Sequence, residues 1–130
     1  MALRDNRNNI DVAISLDAIV RTAVGTGASV DLRGYDSATL VVFASNVTDG
    51  TWTPRLEHGT DGTNFGTCGT DELIGTFSTL LGTGSSQTTQ RVGYRGPYRY
   101  VRGILDETVA GTCTTALLVV RGHSRIRPLA

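Results

Sequence analysis

The chain has 130 residues, enough for one domain with a buried core and too few for two ordinary ones. Glycine (16) and threonine (19) are abundant, with 39% hydrophobic and 18% charged residues. This composition favours strands and tight turns and excludes an all-α bundle. No apolar run is long enough for a membrane-spanning helix, and the formal net charge is zero.

The zero net charge hides an uneven distribution along the chain. Residues 1–90 carry five arginines against ten acidic residues, whereas residues 91–130 carry seven arginines against Asp106 and Glu107. All twelve basic residues are arginine, the cation better suited to protein interfaces, and biased codon usage explains this composition equally well. The C-terminal part is therefore a candidate binding region.

The N-terminal third is predicted to form an arm and then strands. Residues 1–9 have no apolar periodicity, which predicts an extended arm. From residue 10 the pattern has period two, and it predicts a half-buried strand whose inward face carries four apolar side chains: Ile10, Val12, Ile14 and Leu16. Further strands are predicted at 19–24 and at 29–33, where Val30 and Leu32 point inward.

The middle of the chain predicts two longer strands. Residues 38–45 contain the run Leu40–Ala44, apolar on both faces, which indicates a strand in the centre of a sheet. Asp49-Gly50 then predicts a hairpin. Residues 51–59 alternate, with Trp52 and Leu56 on the buried face, and Pro54 indicates a sheet edge or a bulge.

Turn-forming residues dominate 59–70, with one short strand expected near Phe65, and residues 71–81 fit a helical face or strands. After a polar loop at 82–87, strands are predicted at 88–94, 98–105 and 114–122. About eight short strands with turns between them predict an all-β fold: an antiparallel β-sandwich, a jelly roll or a small barrel. The expected organisation is an arm at 1–9, a β-sandwich domain at 10–122 and a tail at 123–130.

The sequence offers little for catalysis or metal binding. His58 and His123 follow no nucleophile or zinc-site pattern, and each is interpreted as a partly exposed structural histidine. Asp61-Gly-Thr-Asn64 is explained by turn chemistry. Cys68 and Cys113 match no redox or zinc spacing and are predicted to be free thiols. We therefore predict no enzymatic activity, no cofactor and no metal.

Arginine and tyrosine are interleaved near the C-terminus, in a basic–aromatic cluster that consists of Arg91, Tyr94, Arg95, Tyr98, Arg99, Tyr100 and Arg102, followed by Arg121, Arg125 and Arg127. Such residues suit a nucleic-acid stacking surface or a protein interface. Zero net charge favours an acidic protein surface over nucleic acid. The candidate interface residues are Arg4, Arg7, Arg95, Arg99, Arg121, Arg125 and Arg127.

Several segments together resemble a known class of viral protein. They are residues 30–35, 38–44, 48–57, 61–65, 98–102 and 119–123. In pattern they are similar to the small β-rich head proteins of tailed bacteriophages, most closely capsid decoration or cement proteins. The similarity spans roughly residues 30–125 and includes no diagnostic motif.

The resemblance implies a non-enzymatic β-sandwich that binds the outside of the major capsid protein lattice and strengthens it, as a dimer or trimer at a symmetry axis. It implies synthesis in the host bacterial cytoplasm and a final location on the capsid exterior. Two alternatives remain: a neck or tail adaptor at the head–tail junction, and a carbohydrate-binding or receptor-binding module that uses Trp52 and the tyrosines.

Overall fold

The structure, a computed structural model, describes residues 9–45, 47, 50–81 and 88–124. Within these ranges it contains strands and one 3-10 turn at Thr70–Glu72, and no α-helix. The strands are β1 Ile10–Arg21, β2 Gly25–Thr26, β3 Val30–Asp31, β4 Tyr35–Ser45, β5 Thr51–Gly59, β6 Gly66–Thr67, β7 Leu73–Ile74, β8 Leu80–Leu81, β9 Thr88–Tyr94, β10 Tyr100–Val109 and β11 Cys113–Ser124.

The strands form two antiparallel sheets. The five-stranded sheet has the order β1-β11-β4-β9-β7. The six-stranded sheet has the order β2-β10-β5-β6, with β3 also paired to β10 and β8 to β5. This arrangement confirms the predicted all-β, antiparallel class, and the sheets do not close into one barrel. In the described part of the chain no helix is long and apolar enough to cross a membrane.

The two sheets share one hydrophobic core. Trp52 and Leu56 of β5 and Leu105 of β10 supply it from one side, and Leu40 and Leu117 from the other. Strand β4 lies third of five, as its apolar run predicted, with Leu40 and Val42 fully buried. The free cysteines, Cys68 and Cys113, are both buried.

The predicted orientation of β1 is wrong for three of its four apolar residues and correct for Leu16. Ile10, Val12 and Ile14 face outward, and Val12 and Ile14 are 51% and 59% exposed. Ser15 and Leu16 are buried. A register irregularity between Ile14 and Leu16 switches the strand from one alternation to the other. The same strand continues through the separate strand expected at 19–24 and ends at Arg21.

Polar side chains on the inner side of β1 explain this orientation. Asp11 is paired with Arg121, and Ser15 reaches the other sheet, where its Oγ accepts the amide of Gly103 at 2.9 Å and donates to the Ala28 carbonyl at 2.8 Å. Because these polar groups have partners, the inner face can hold them. The outer face is left to the larger apolar side chains.

The expected hairpin after β4 is also wrong. Strand β4 pairs with β11 and β9, while β5 pairs with β10, β6 and β8, so residues 46–50 connect the two sheets. Gly50 has φ +82°, as a turn requires, and Asp49 lies outside the described residues. Pro54 lies between the β8 and β6 pairings of β5, where a missing amide proton is tolerated.

Candidate interface

The basic–aromatic cluster predicted from the sequence does not form one surface. Arg91, opposite Val41, lies on the outer face of the five-stranded sheet, whereas Arg102, opposite Glu57, lies on the outer face of the six-stranded sheet. Arg4, Arg7, Arg125 and Arg127 lie outside the described residues. Arg95, Arg99 and Arg121 remain to be placed.

Ion pairs within the fold bind two of these three arginines. Arg99 donates from Nε and Nη2 to the two carboxylate oxygens of Asp31, at 2.8 and 2.7 Å. Arg121 pairs with Asp11, donates to the Asp31 carbonyl at 2.9 Å and packs on Tyr35. The basic C-terminal strands are thus partly neutralised by acids from the first third of the chain.

A third set of ion pairs covers the six-stranded sheet. Glu57 accepts from Arg55 and from Arg102, and Arg55 also donates to Asp106 at 2.6 Å. Burial opposes ionisation of Glu57, but hydrogen bonds from the two guanidinium groups outweigh it and lower its pKa. This outer face is a network of paired charges centred on Glu57, which is buried.

The Arg99–Asp31 pair gives stability a pH dependence. The hydrogen bond from Arg99 lowers the pKa of Asp31 from 3.8 to about 2. A lowered folded-state pKa contributes stability above pH 3.8 that is lost as the pH falls toward 2. Both side chains are substantially exposed, so we expect Asp31→Asn to cost less than about 1 kcal/mol at pH 7.

Urea unfolding at pH 7, 4 and 2 tests this expectation. The variant is expected to lose less stability than the wild type between pH 4 and pH 2. Asp71→Asn, at an exposed carboxylate outside the described ion pairs, is the control and should follow the wild type. Parallel pH curves for the wild type and Asp31→Asn would contradict the assignment.

Arg95 and Arg99 line a groove at one end of the two sheets, of about 630 Å³. Its walls are residues 32–38, residues 94–99 and Ile74, and we call it the Arg–Tyr groove. Arg33, Arg95 and Tyr98 are exposed along it, and Asp36 adds a carboxylate. The groove therefore presents guanidinium and phenol groups beside apolar walls, the chemistry of a protein-binding surface.

Hydrogen bonds hold the 94–99 wall in place. The Arg95 amide donates to the Glu72 carbonyl at 2.9 Å, and Arg95 Nε donates to the Asp71 carbonyl at 2.8 Å. The Tyr98 amide donates to the Tyr94 hydroxyl at 3.1 Å. Because the backbone is anchored at these points, Arg95 and Tyr98 are presented in fixed positions, which lowers the entropic cost of binding.

His58 supports this wall from inside. It is buried, which corrects the expectation of a partly exposed side chain, and its Nδ1 lies 2.8 Å from the Tyr94 hydroxyl. Its ring packs edge-on to Tyr98, with centroids 4.4 Å apart. Burial raises the pKa of Tyr94 to about 12, so this phenol remains protonated and able to donate. The geometry assigns His58 a structural role.

The other candidate chemical groups have local partners. Asp61 Oδ1 accepts the amides of Thr63 and Asn64 at 3.0 and 2.8 Å, the turn chemistry predicted for this loop. Burial, followed by the nearby Glu72 charge, raises the pKa of Cys68 to about 12, which opposes thiolate formation. His123 lies 2.9 Å from Ser37 Oγ. Among the described residues, no group of three or more His, Cys, Asp or Glu is placed to hold a metal ion.

No protein-family model matches the chain, and no curated protein shows significant sequence similarity to it. The carbohydrate-binding or receptor-binding alternative is therefore judged from the geometry of its aromatic residues. Trp52 is 0% exposed in the core, so it cannot stack on a sugar ring at the surface. A carbohydrate-binding or receptor-binding module would then depend on the tyrosines alone, and Tyr94 is also buried.

Sequence reasoning missed an apolar surface on the outer side of the five-stranded sheet, which includes Val12, Ile14 and Phe43. Period-two alternation marked one face of β1 as apolar, but alternation cannot say which face of a strand meets the core. Asp11 and Ser15 on the opposite face gave no signal of burial, because their partners, Arg121 and Gly103, are distant in sequence.

Proposed function

We propose that this protein is a structural component of a bacteriophage head, a decoration or cement protein that binds the outside of the capsid shell and stabilises it. Two lines of argument support the proposal: the resemblance over roughly residues 30–125, and a β-sandwich organisation with a groove suited to binding protein. A shell presents the same site many times, so a modest interface on each copy is sufficient. The major capsid protein is the proposed partner.

The Arg–Tyr groove is the observation that carries the proposal. Arg33 and Arg95 can meet carboxylates of a capsid loop while Tyr98 packs on its apolar atoms. Arg99 and Arg121 contribute by holding the walls through Asp31 and Asp11. In this proposal, attachment needs only a few of the arginines that the sequence offers.

Binding to shells assembled from the major capsid protein of the same virus tests this function. We expect Arg95→Ala and Tyr98→Ala each to raise the dissociation constant for the shells by about tenfold, the effect of losing a moderate interface contact, and so to lower occupancy at concentrations below saturation. Arg21→Ala, which removes the same charge at the end of β1 opposite Cys113 and outside the groove, is the matched control and should leave occupancy near that of the wild type. Occupancy should also fall at about 0.5 M salt, because exposed charge pairs are then strongly screened.

Unchanged occupancy in both groove variants would reject the groove as the attachment surface, and no binding of the wild type to shells would reject the decoration function.

The number of copies per particle distinguishes a decoration protein from the alternative, a neck or tail adaptor. A decoration protein is present in many copies over the shell, whereas a head–tail adaptor forms a ring of few copies. Quantitative mass spectrometry of purified particles distinguishes them.

A further inference from the structure

The outer faces of the two sheets differ sharply in chemistry. Arginine, glutamate and aspartate in ion pairs cover the six-stranded sheet, at Arg55, Glu57, Arg102 and Asp106. The outer face of the five-stranded sheet is mainly apolar. In an antiparallel sheet with one face buried, the other normally carries polar residues, so this apolar face requires an explanation.

Strand register shows how the apolar side chains lie together. Directly opposite residues of neighbouring strands share a face, so the pairings define rows that cross the sheet. The rows are Val12, Val120, Thr39, Gly93 and Ile74; Ile14, Leu118, Val41 and Arg91; and Ala116, Phe43 and Thr89. We call these three rows the apolar face.

The apolar face reaches both edges of the sheet. At one edge Ile14 is 59% exposed. At the other, Ile74 is also 59% exposed and lies over Gly93, where an added Cβ would approach the Ile74 side chain to 3.2 Å. Arg91 is the one charged member of the three rows. On β1 the irregularity between Leu16 and Ile19 sets Asp17 and Ala18 against Ala116, so the exposed carboxylate of Asp17 borders the third row.

We propose that the apolar face is a dimer interface that packs against the same face of a second copy of this chain. Its rows hold almost no charge, so a highly charged partner would bury ions without counter-ions, whereas a second copy brings an equally apolar surface. This proposal goes beyond capsid attachment, does not depend on it, and uses a surface outside the Arg–Tyr groove.

The size of the face suits a weak, reversible interface. Its three rows hold 12 residues. Because alternate residues of a strand share a face, each row residue occupies about 6.6 Å along its strand and about 4.8 Å across the sheet, so the rows cover about 380 Å² in projection. Two copies would then bury about 760 Å² in projection, less than the roughly 1,200 Å² of stable complexes and in the range of weak, concentration-dependent association.

The geometry of β1 favours face-to-face packing over strand addition. Strand β1 is at the edge of its sheet, where an exposed backbone can recruit another strand. Its register is interrupted twice, between Ile14 and Leu16 and between Leu16 and Ile19. Such irregularities disrupt continuous edge pairing, so the apolar side chains are the better means of association.

Sedimentation velocity of the purified chain, from about 1 to 100 μM and without capsids, tests the proposal. We expect a concentration-dependent dimer in the wild type and at least a tenfold weaker dimer in Ile14→Lys, because this variant removes an apolar contact and adds a charge to the interface. Val109→Lys is the matched control, because Val109 is 57% exposed on β10 of the other sheet. It should dimerise like the wild type.

Thermal unfolding of each variant verifies folding, and Phe43→Lys on β4 provides an independent test if Ile14→Lys does not fold. A wild type that sediments as a monomer throughout the range would overturn the proposal. A folded Ile14→Lys or Phe43→Lys variant that dimerises as strongly as the wild type would also overturn it. So would a Val109→Lys variant whose dimer is weakened as much as that of the apolar-face variant. Because no capsid is used, these results stand apart from the outcome for capsid attachment.

Discussion

Replacing Trp52 with alanine is expected to lower the free energy of unfolding by about 3–5 kcal/mol. Trp52 is the single tryptophan of the chain and is completely buried in the core shared by the two sheets. Removing the indole leaves a cavity that surrounding strands can fill only in part. A domain of this size has a total stability of about 5–15 kcal/mol, so the variant would be marginally folded.

Urea unfolding followed by far-ultraviolet circular dichroism measures this loss, since the variant has no tryptophan fluorescence. Val109→Ala is the control: it removes an exposed apolar side chain from the same sheet and should change stability by less than about 0.5 kcal/mol. A Trp52→Ala protein as stable as this control would show that the indole is not packed in the core.

Gly27→Ala is expected to cost about 2–4 kcal/mol, through overpacking and the loss of hydrogen bonds. A Cβ at this position would lie 2.3 Å from Ser15 Oγ and 2.5 Å from the Gly103 carbonyl oxygen. Neither atom can move freely. The Gly27 amide donates to that carbonyl at 2.8 Å, and Ser15 Oγ is bonded to both Gly103 and Ala28.

The same substitution at Gly66 provides the comparison, because an added Cβ there meets no atom within 4 Å. Both variants lose the same backbone freedom in the unfolded chain, so the difference between them reports the contacts at Gly27. Unfolding midpoints in urea give that difference. Equal midpoints would show that the junction between β1 and the six-stranded sheet has room for a methyl group.

Local patterns correctly predicted strands that are apolar on both faces or that alternate clearly between apolar and polar residues. The run at 40–44 is apolar on both faces, so no choice of face was needed, and β4 is central as expected. Trp52 and Leu56 alternate with threonine and arginine, so the inward face of β5 was clear and both are buried. These predictions used information within a few residues.

The orientation of β1 and the fate of the arginines could not be predicted in this way. Both depend on which strands become neighbours: Asp11 is kept on the inner side by Arg121, 110 residues away, and Arg99 is bound by Asp31, 68 residues away. Residues 46–50 have hairpin chemistry, yet sheet pairing makes them a crossing between layers. Of the Arg–Tyr groove, sequence patterns indicated Tyr94, Arg95, Tyr98 and Arg99 but did not indicate that residues 32–38 form the opposite wall.

The position of β11 has a consequence for folding during synthesis. Strand β11 lies between β1 and β4, so β1 cannot join the rest of the five-stranded sheet until residues 113–124 have left the ribosome. Before that moment, among the described strands, β1 lacks its partner in the five-stranded sheet and the apolar run of β4 is paired along one edge, by β9. Such dependence on distant contacts slows folding and leaves hydrophobic strands accessible to chaperones or to other nascent chains.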